Sequence, residues 1–102
     1  MNLYLSGPMR GRPDLNRPAF AYAAAELRAS GFVVFNPGEQ PDNEIRANLA
    51  VDMAWICAHA DAVALLPGWQ ESKGAMAEAS LGFALGILVA PFETFLKPAP
   101  LD

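Results

Sequence analysis

Between Gly74 and Phe92, a stretch of nineteen residues, Glu78 is the only ionisable side chain. A carboxylate so isolated is not part of a solvated charged face. Leu81, Gly82 and Leu85 follow it at spacings that place them on its side of a helix. There it can face the mouth of an apolar pocket, with the helix N-terminus helping to keep it ionised, which suits a nucleophile or a charge stabiliser. The alternative is a helix-start glutamate turned to water. Asp52 poses a similar choice, because Leu49 and Ile56 flank it at i−3 and i+4 and the acid interrupts an inward stripe. Either it joins Glu78 across a pocket as an acid or base partner, or it pairs with Arg46 or Lys73 at the helix margin. In a helix starting near Asn43 it lies about two turns inside, below the sheet edge where loops gather.

Two segments could hold an anion. Gly7-Pro8-Met9-Arg10-Gly11 follows a strand, where glycine lets backbone approach a ligand and Arg10 can fork onto phosphate; a plain connection is the alternative. Ser72-Lys73-Gly74 offers a hydroxyl, an ammonium and free N–H groups at a helix N-terminus, or simply an ordinary cap. Trp69 can stack on a planar base, close the core or meet another subunit. Neither G-x-G-x-x-G nor G-x-x-x-x-G-K-[ST] occurs, so nicotinamide and ATPase assignments have no support. His59 has no Ser or Cys partner in the pattern, Cys57 reads as a buried apolar residue, and Asp61 as a turn or capping acid.

The rest of the chain must position these groups. Its 102 residues suit one domain, and 53% apolar against 18% charged residues excludes disorder by composition. Nineteen residues are Ala, which favours helices packed close to their neighbours. A net charge of −4 disfavours a nucleic-acid polymer or an anionic membrane as partner. Yet Arg10, Arg12 and Arg17, three of the seven basic residues, cluster near the start, a local basic loop suited to a small anion. One cysteine and one histidine exclude the usual disulfide and Cys/His metal sites. No targeting segment or membrane span is expected, since Gly82, Gly86, Pro91 and Glu78 interrupt the most apolar region, and the expectation is a cytoplasmic protein.

Short apolar runs at Leu3–Ser6, Phe32–Phe35, Ala62–Leu66 and Ile87–Ala90 predict strands. Helical spacing predicts helices from an Asn16 cap to Gly31, from about Asn43 to His59, and from about Gly74 to Leu85. The Pro-rich segment from Pro91 to Asp102 reads as a frayed tail or a strap against a partner subunit. Strands alternating with helices predict a single-domain, three-layer α/β/α fold with a parallel sheet of four or five strands. Ligands of such sheets bind beyond the carboxyl ends of the strands, where Gly7–Asp14, Asn36–Asp42 and Pro67–Lys73 lie.

Tyr4-Leu5-Ser6-Gly7-Pro8-Met9, Phe35-Asn36-Pro37, the Asp52/Asp61 pair and Ser72-Lys73-Gly74 followed by Glu78 together resemble the nucleoside 2-deoxyribosyltransferase superfamily. Its small bacterial and phage members look especially similar, through the run from Ala60 to Trp69. The resemblance spans nearly the whole chain and implies a flavodoxin-like (Rossmann-like) sheet. It further implies Glu78 as the nucleophile at the anomeric carbon, Asp52 as an assisting acid, and Tyr4 as the hydroxyl that positions the nucleophile. Tyr4 alternates with Leu3 and Leu5, so it faces the other side of its strand. Ser72 stands where the transferases look to carry Asp. Ser-x-Gly with an arginine in the first loop is instead similar to the 2′-deoxynucleoside 5′-phosphate N-hydrolases, which implies a monophosphate substrate and hydrolysis. The substrate-binding set is then Gly7, Pro8, Met9, Arg10, Gly11, Trp69, Ser72, Lys73 and Gly74, without cofactor or metal. A homo-oligomer of two or more subunits is expected from the same likeness. Two alternatives are a nucleotide-binding module without chemistry, its Glu78 blunted by Lys73, and a purely structural oligomer.

Overall fold

The computed structural model describes residues 1–98. Strands β1 (Asn2–Ser6), β2 (Val33–Phe35), β3 (Ala62–Leu65) and β4 (Leu88–Pro91) alternate with helices α1 (Arg17–Ala29), α2 (Ile45–His59) and α3 (Lys73–Leu85). The four strands form one parallel sheet in the order β2-β1-β3-β4, with Tyr4 opposite Phe35 on one side and Val63 on the other. The architecture is the expected flavodoxin-like α/β/α sandwich, with four strands among the described residues.

Right-handed crossovers dictate which face each helix covers. From β1 the chain steps outward to β2 in one direction, then returns past β1 to β3 and on to β4 in the other. Helix α1 therefore covers one face and α2 and α3 the opposite face. The strand alternation follows suit. Leu3, Leu5, Ala62 and Ala64 pack with Phe20, Ala23, Ala24 and Leu27 of α1, whereas Tyr4, Val63 and Leu65 pack with Ile56 of α2 and Ala79 of α3. The reversal of direction between β1 and β3 opens a crevice at their carboxyl ends, the place where ligands of such sheets bind.

Three local expectations are corrected. Asn16 occupies the cap position of α1 but is left-handed, as are Asp14 and Leu15, with φ values of 58°, 51° and 53°. Its side chain makes no cap; it donates instead to the Pro8 carbonyl at 2.8 Å and ties the loop together. Cys57 is exposed rather than buried, because α2 turns it away from the sheet. The segment after β4 is not a frayed tail through Lys97. Phe92 is buried in the α1-side core, Phe95 meets Phe32 edge-on at 6.1 Å, and the Lys97 N–H donates to Ser30 Oγ at 3.2 Å. Residues 99–102 of the proposed tail lie outside the described residues. Among the described residues no helix is long and apolar enough to cross a membrane.

Candidate active site

Small residues on α3 determine how close Glu78 comes to the sheet. Ala75, Ala79 and Gly82 form the buried stripe of the helix with Glu78. A Cβ on Gly82 would stand 2.6 Å from Val89 Cγ2 and 3.1 Å from Val63 Cγ2, so only glycine permits this approach. The helix then delivers the Glu78 carboxylate to β1, where the Tyr4 hydroxyl donates to Oε2 at 2.8 Å and the Ser6 hydroxyl donates to Oε1 at 2.7 Å. At the end of that strand Gly7 allows a second close approach, since its Cβ would stand 2.7 Å from Leu66 Cβ. Tyr4 itself is locked by stacking on Phe35 at 5.4 Å and by Trp55 at 6.3 Å.

Glu78 is 5% exposed and Asp52 7%, so neither is a surface acid. Burial pushes the Glu78 carboxyl up to about 8; the Ser6 and Tyr4 hydroxyls pull it back, and the nearby Asp52 charge adds to the rise. Burial also raises Asp52, against the pull of Tyr4 and Glu78. Tyr4 is held well above its usual phenol range, first by burial and then by the two carboxylates, so it stays a neutral donor. The helix dipole does not keep Glu78 ionised as the sequence suggests. Ser72 caps α3 and Glu78 is already in the second turn, where the dipole has faded and desolvation dominates. The expected pairing of Asp52 with Arg46 or Lys73 is absent among the described residues, as is a Lys73–Glu78 ion pair.

A cavity of about 450 Å³ opens above the two carboxylates, within the range usual for small-molecule sites. It brings together Tyr4, Asp52 and Glu78 with Gly7, Pro8, Met9, Arg10, Ser72, Lys73 and Gly74. A smaller hollow of about 160 Å³ continues from it under the β2–α2 connection and shares Met9, Arg10 and Asp52. Asp52 is reached because the cavity descends between α2 and α3; seven residues into its helix, it lies about 10 Å below the loops. Ser72 Oγ accepts the Ala75 N–H at 3.1 Å, capping α3 at the cavity rim.

Two expected binding residues lie elsewhere. Trp69 packs against the α2/α3-side core and borders a separate hollow with Pro91 and Glu93, and Gly11 stands outside the cavity on an exposed turn. Conversely, Arg12 and Glu71 line the cavity without having been singled out as site residues. The basic loop is also less free than its sequence suggests. Arg12 pairs with Glu71 at 2.9 Å, Arg17 with Asp14 at 3.8 Å, and Arg10 with Asp42 at 3.8 Å while donating to the Asn43 carbonyl. These pairs are substantially exposed and hence weak, so an anionic ligand can compete for the arginines. Ser6 is the further residue of the carboxylate cluster, and its signal was available: it shares strand parity with Tyr4.

The fold places the chain among flavodoxin-like α/β domains with a carboxylate cluster at the sheet's switch point. A solved structure, the 2-desoxiribosyltransferase from Leishmania mexicana, matches it with a TM-score of 0.68 at 19% identity, over 87% of this chain and 62% of that one. The likeness is one of fold, and the chain covers less than two thirds of that protein. Within this class the chain belongs to the family described as Domain of unknown function (DUF4406), whose model matches residues 1–90. No curated protein matches the chain in sequence.

Proposed function

We propose that the protein cleaves the N-glycosidic bond of a nucleoside or nucleoside 5′-monophosphate, with water rather than a second base as the acceptor. The observation that carries this is Glu78, a buried carboxylate held by two hydroxyl donors at the floor of a cavity rimmed by Arg10, Arg12, Ser72 and Lys73. Deep carboxylates under a cationic rim fit a substrate with an electron-poor anomeric carbon at one end and an anion at the other. The fold shared with a 2-desoxiribosyltransferase supports the same reaction class. Residues 1–102 then form one nucleoside 2-deoxyribosyltransferase-like domain acting in the cytoplasm. Exposed Phe83, Leu85 and Leu88 offer apolar surface for a homo-oligomer.

Glu78 attacks C1′ as the C1′–N bond breaks and its electron pair leaves on the base. Asp52 supplies the proton the base needs. Water then attacks C1′, passes its proton to Asp52, and the carbon–oxygen electron pair returns to Glu78. Burial raises both carboxyls. Catalysis uses the arrangement with Asp52 protonated and Glu78 ionised, and the two hydroxyls that donate to Glu78 stabilise its ionised form. Tyr4 stabilises the ionised nucleophile by its hydrogen bond.

The preference for hydrolysis and for a monophosphate rests on the Ser72-Lys73-Gly74 rim with Arg10. The test is incubation of the purified protein with ribo- and deoxyribonucleosides and their 5′-monophosphates, with and without free acceptor bases. Base release, strongest from a monophosphate and abolished by Glu78→Ala, is expected. Neither release nor exchange from any substrate at high enzyme would defeat the proposal.

A further inference from the structure

Ser6 and Tyr4 hold opposite oxygens of Glu78, and the two sides are not equivalent. Tyr4 belongs to the cavity wall; Ser6 does not, and is fully buried between the sheet and α3. Oε2 is thus held by a residue of the cavity wall, and Oε1 by a residue outside it. Ser6 is also rigid. It pairs with Leu65 in the sheet, its carbonyl accepts the Leu66 N–H at 2.8 Å, and the tight Gly7–Leu66 contact fixes the chain beside it.

Resting on the glycosidic reading above, we propose that Ser6 is a positioning residue that holds Glu78 Oε1 as the non-reacting oxygen and presents Oε2 to C1′. In the first step the Oε2–C1′ bond forms as the C1′–N bond breaks, and Oε1 becomes the ester carbonyl with the Ser6 hydroxyl still donating to it. In the second step water attacks C1′, its proton goes to Asp52, and the Oε2–C1′ electron pair spreads over both oxygens. Ser6 stabilises the charge that returns to Oε1. It never touches substrate, so its effect belongs to the chemical steps and not to binding. Tyr4 cannot replace it, because the phenol is committed to the other oxygen. The same hydroxyl opposes the burial that keeps Glu78 protonated, an independent effect in the same direction.

The experiment compares Ser6→Ala and Ser6→Cys with the wild type, by kinetics on a deoxynucleoside 5′-monophosphate and by carbon NMR titration of the labelled Glu78 carboxyl. Cysteine keeps a small side chain but is a weak donor, so both variants are expected to behave alike. A hydrogen bond to a charged group predicts a loss of kcat of about tenfold or more with KM unchanged. It also predicts a Glu78 titration displaced to higher pH by roughly one unit, a signature that mere loosening of the strand would not produce. An active Ser6→Ala protein with kcat and the Glu78 titration unmoved, or a change confined to KM, overturns the assignment while leaving the glycosidic reading standing. A wild type that releases no base removes the glycosidic reading itself, and with it the role assigned to Ser6.

Discussion

Replacing Glu78 with glutamine should stabilise the protein, by an amount that grows with pH. Burial raises the carboxyl from its ordinary 4.5 to about 8, so the folded state binds this proton more tightly than the unfolded chain does. The stability associated with the protonated form is complete below pH 4.5 and is lost progressively as pH rises through 8. Glutamine imitates the neutral acid at every pH and escapes that loss; the Tyr4 or Ser6 hydroxyl facing its amino group can turn to accept. Taking the difference between variant and wild type at pH 4 as baseline, the advantage of Glu78→Gln should reach about 2 kcal/mol at pH 6 and about 4 to 5 kcal/mol at pH 9. For a domain of this size the pH 6 value corresponds to a Tm higher by about 10 °C. Urea unfolding of both proteins from pH 4 to 9 provides the assay. A difference independent of pH, or one that turns against the variant as pH rises, would refute the claim that burial governs this carboxylate.

Other perturbations probe the supports of the site. Gly82→Ala forces α3 away from Val89 and Val63 and should cost roughly 1 to 3 kcal/mol in urea unfolding, with loss of base release as Glu78 withdraws from β1. Ser72→Ala removes the cap of α3 and should cost about 1 kcal/mol of stability, and calorimetry should register weaker nucleotide binding. Arg12→Ala breaks an exposed pair with Glu71 and should change stability by less than about 1 kcal/mol. The same calorimetry should show affinity falling for a 5′-monophosphate and not for the matching nucleoside. Asp52→Asn removes the charge that helps raise Glu78, so carbon NMR should find the Glu78 titration at lower pH than in the wild type.

The alternating apolar strands and helical spacings carried the fold, because each face of the sheet needs its own helix. The isolation of Glu78 in an apolar stretch marked it from composition alone, and strand parity turned Tyr4 away from Leu3 and Leu5. That parity held for Ser6 as well, yet a serine at a strand end before Gly-Pro reads equally as turn chemistry. Legibility failed where distant segments meet. Arg12 and Glu71 are 59 residues apart in sequence and become partners only because β1 and β3 are neighbours. Cys57 failed for another reason: apolar character predicts a tendency to be covered, not which face of a helix is covered, and of the alternatives open for Trp69 the structure shows packing against the core. Desolvation outweighed the helix dipole at Glu78 because one turn of helix separates it from the N-terminus, while the residue is 5% exposed.

Acid quenching of the protein during turnover of a 2′-deoxynucleoside 5′-monophosphate, followed by peptide mass spectrometry, tests the central chemistry most directly. A sugar phosphate esterified to Glu78, absent from Glu78→Ala, is the predicted result. Base release at the wild-type rate from Glu78→Ala would contradict it.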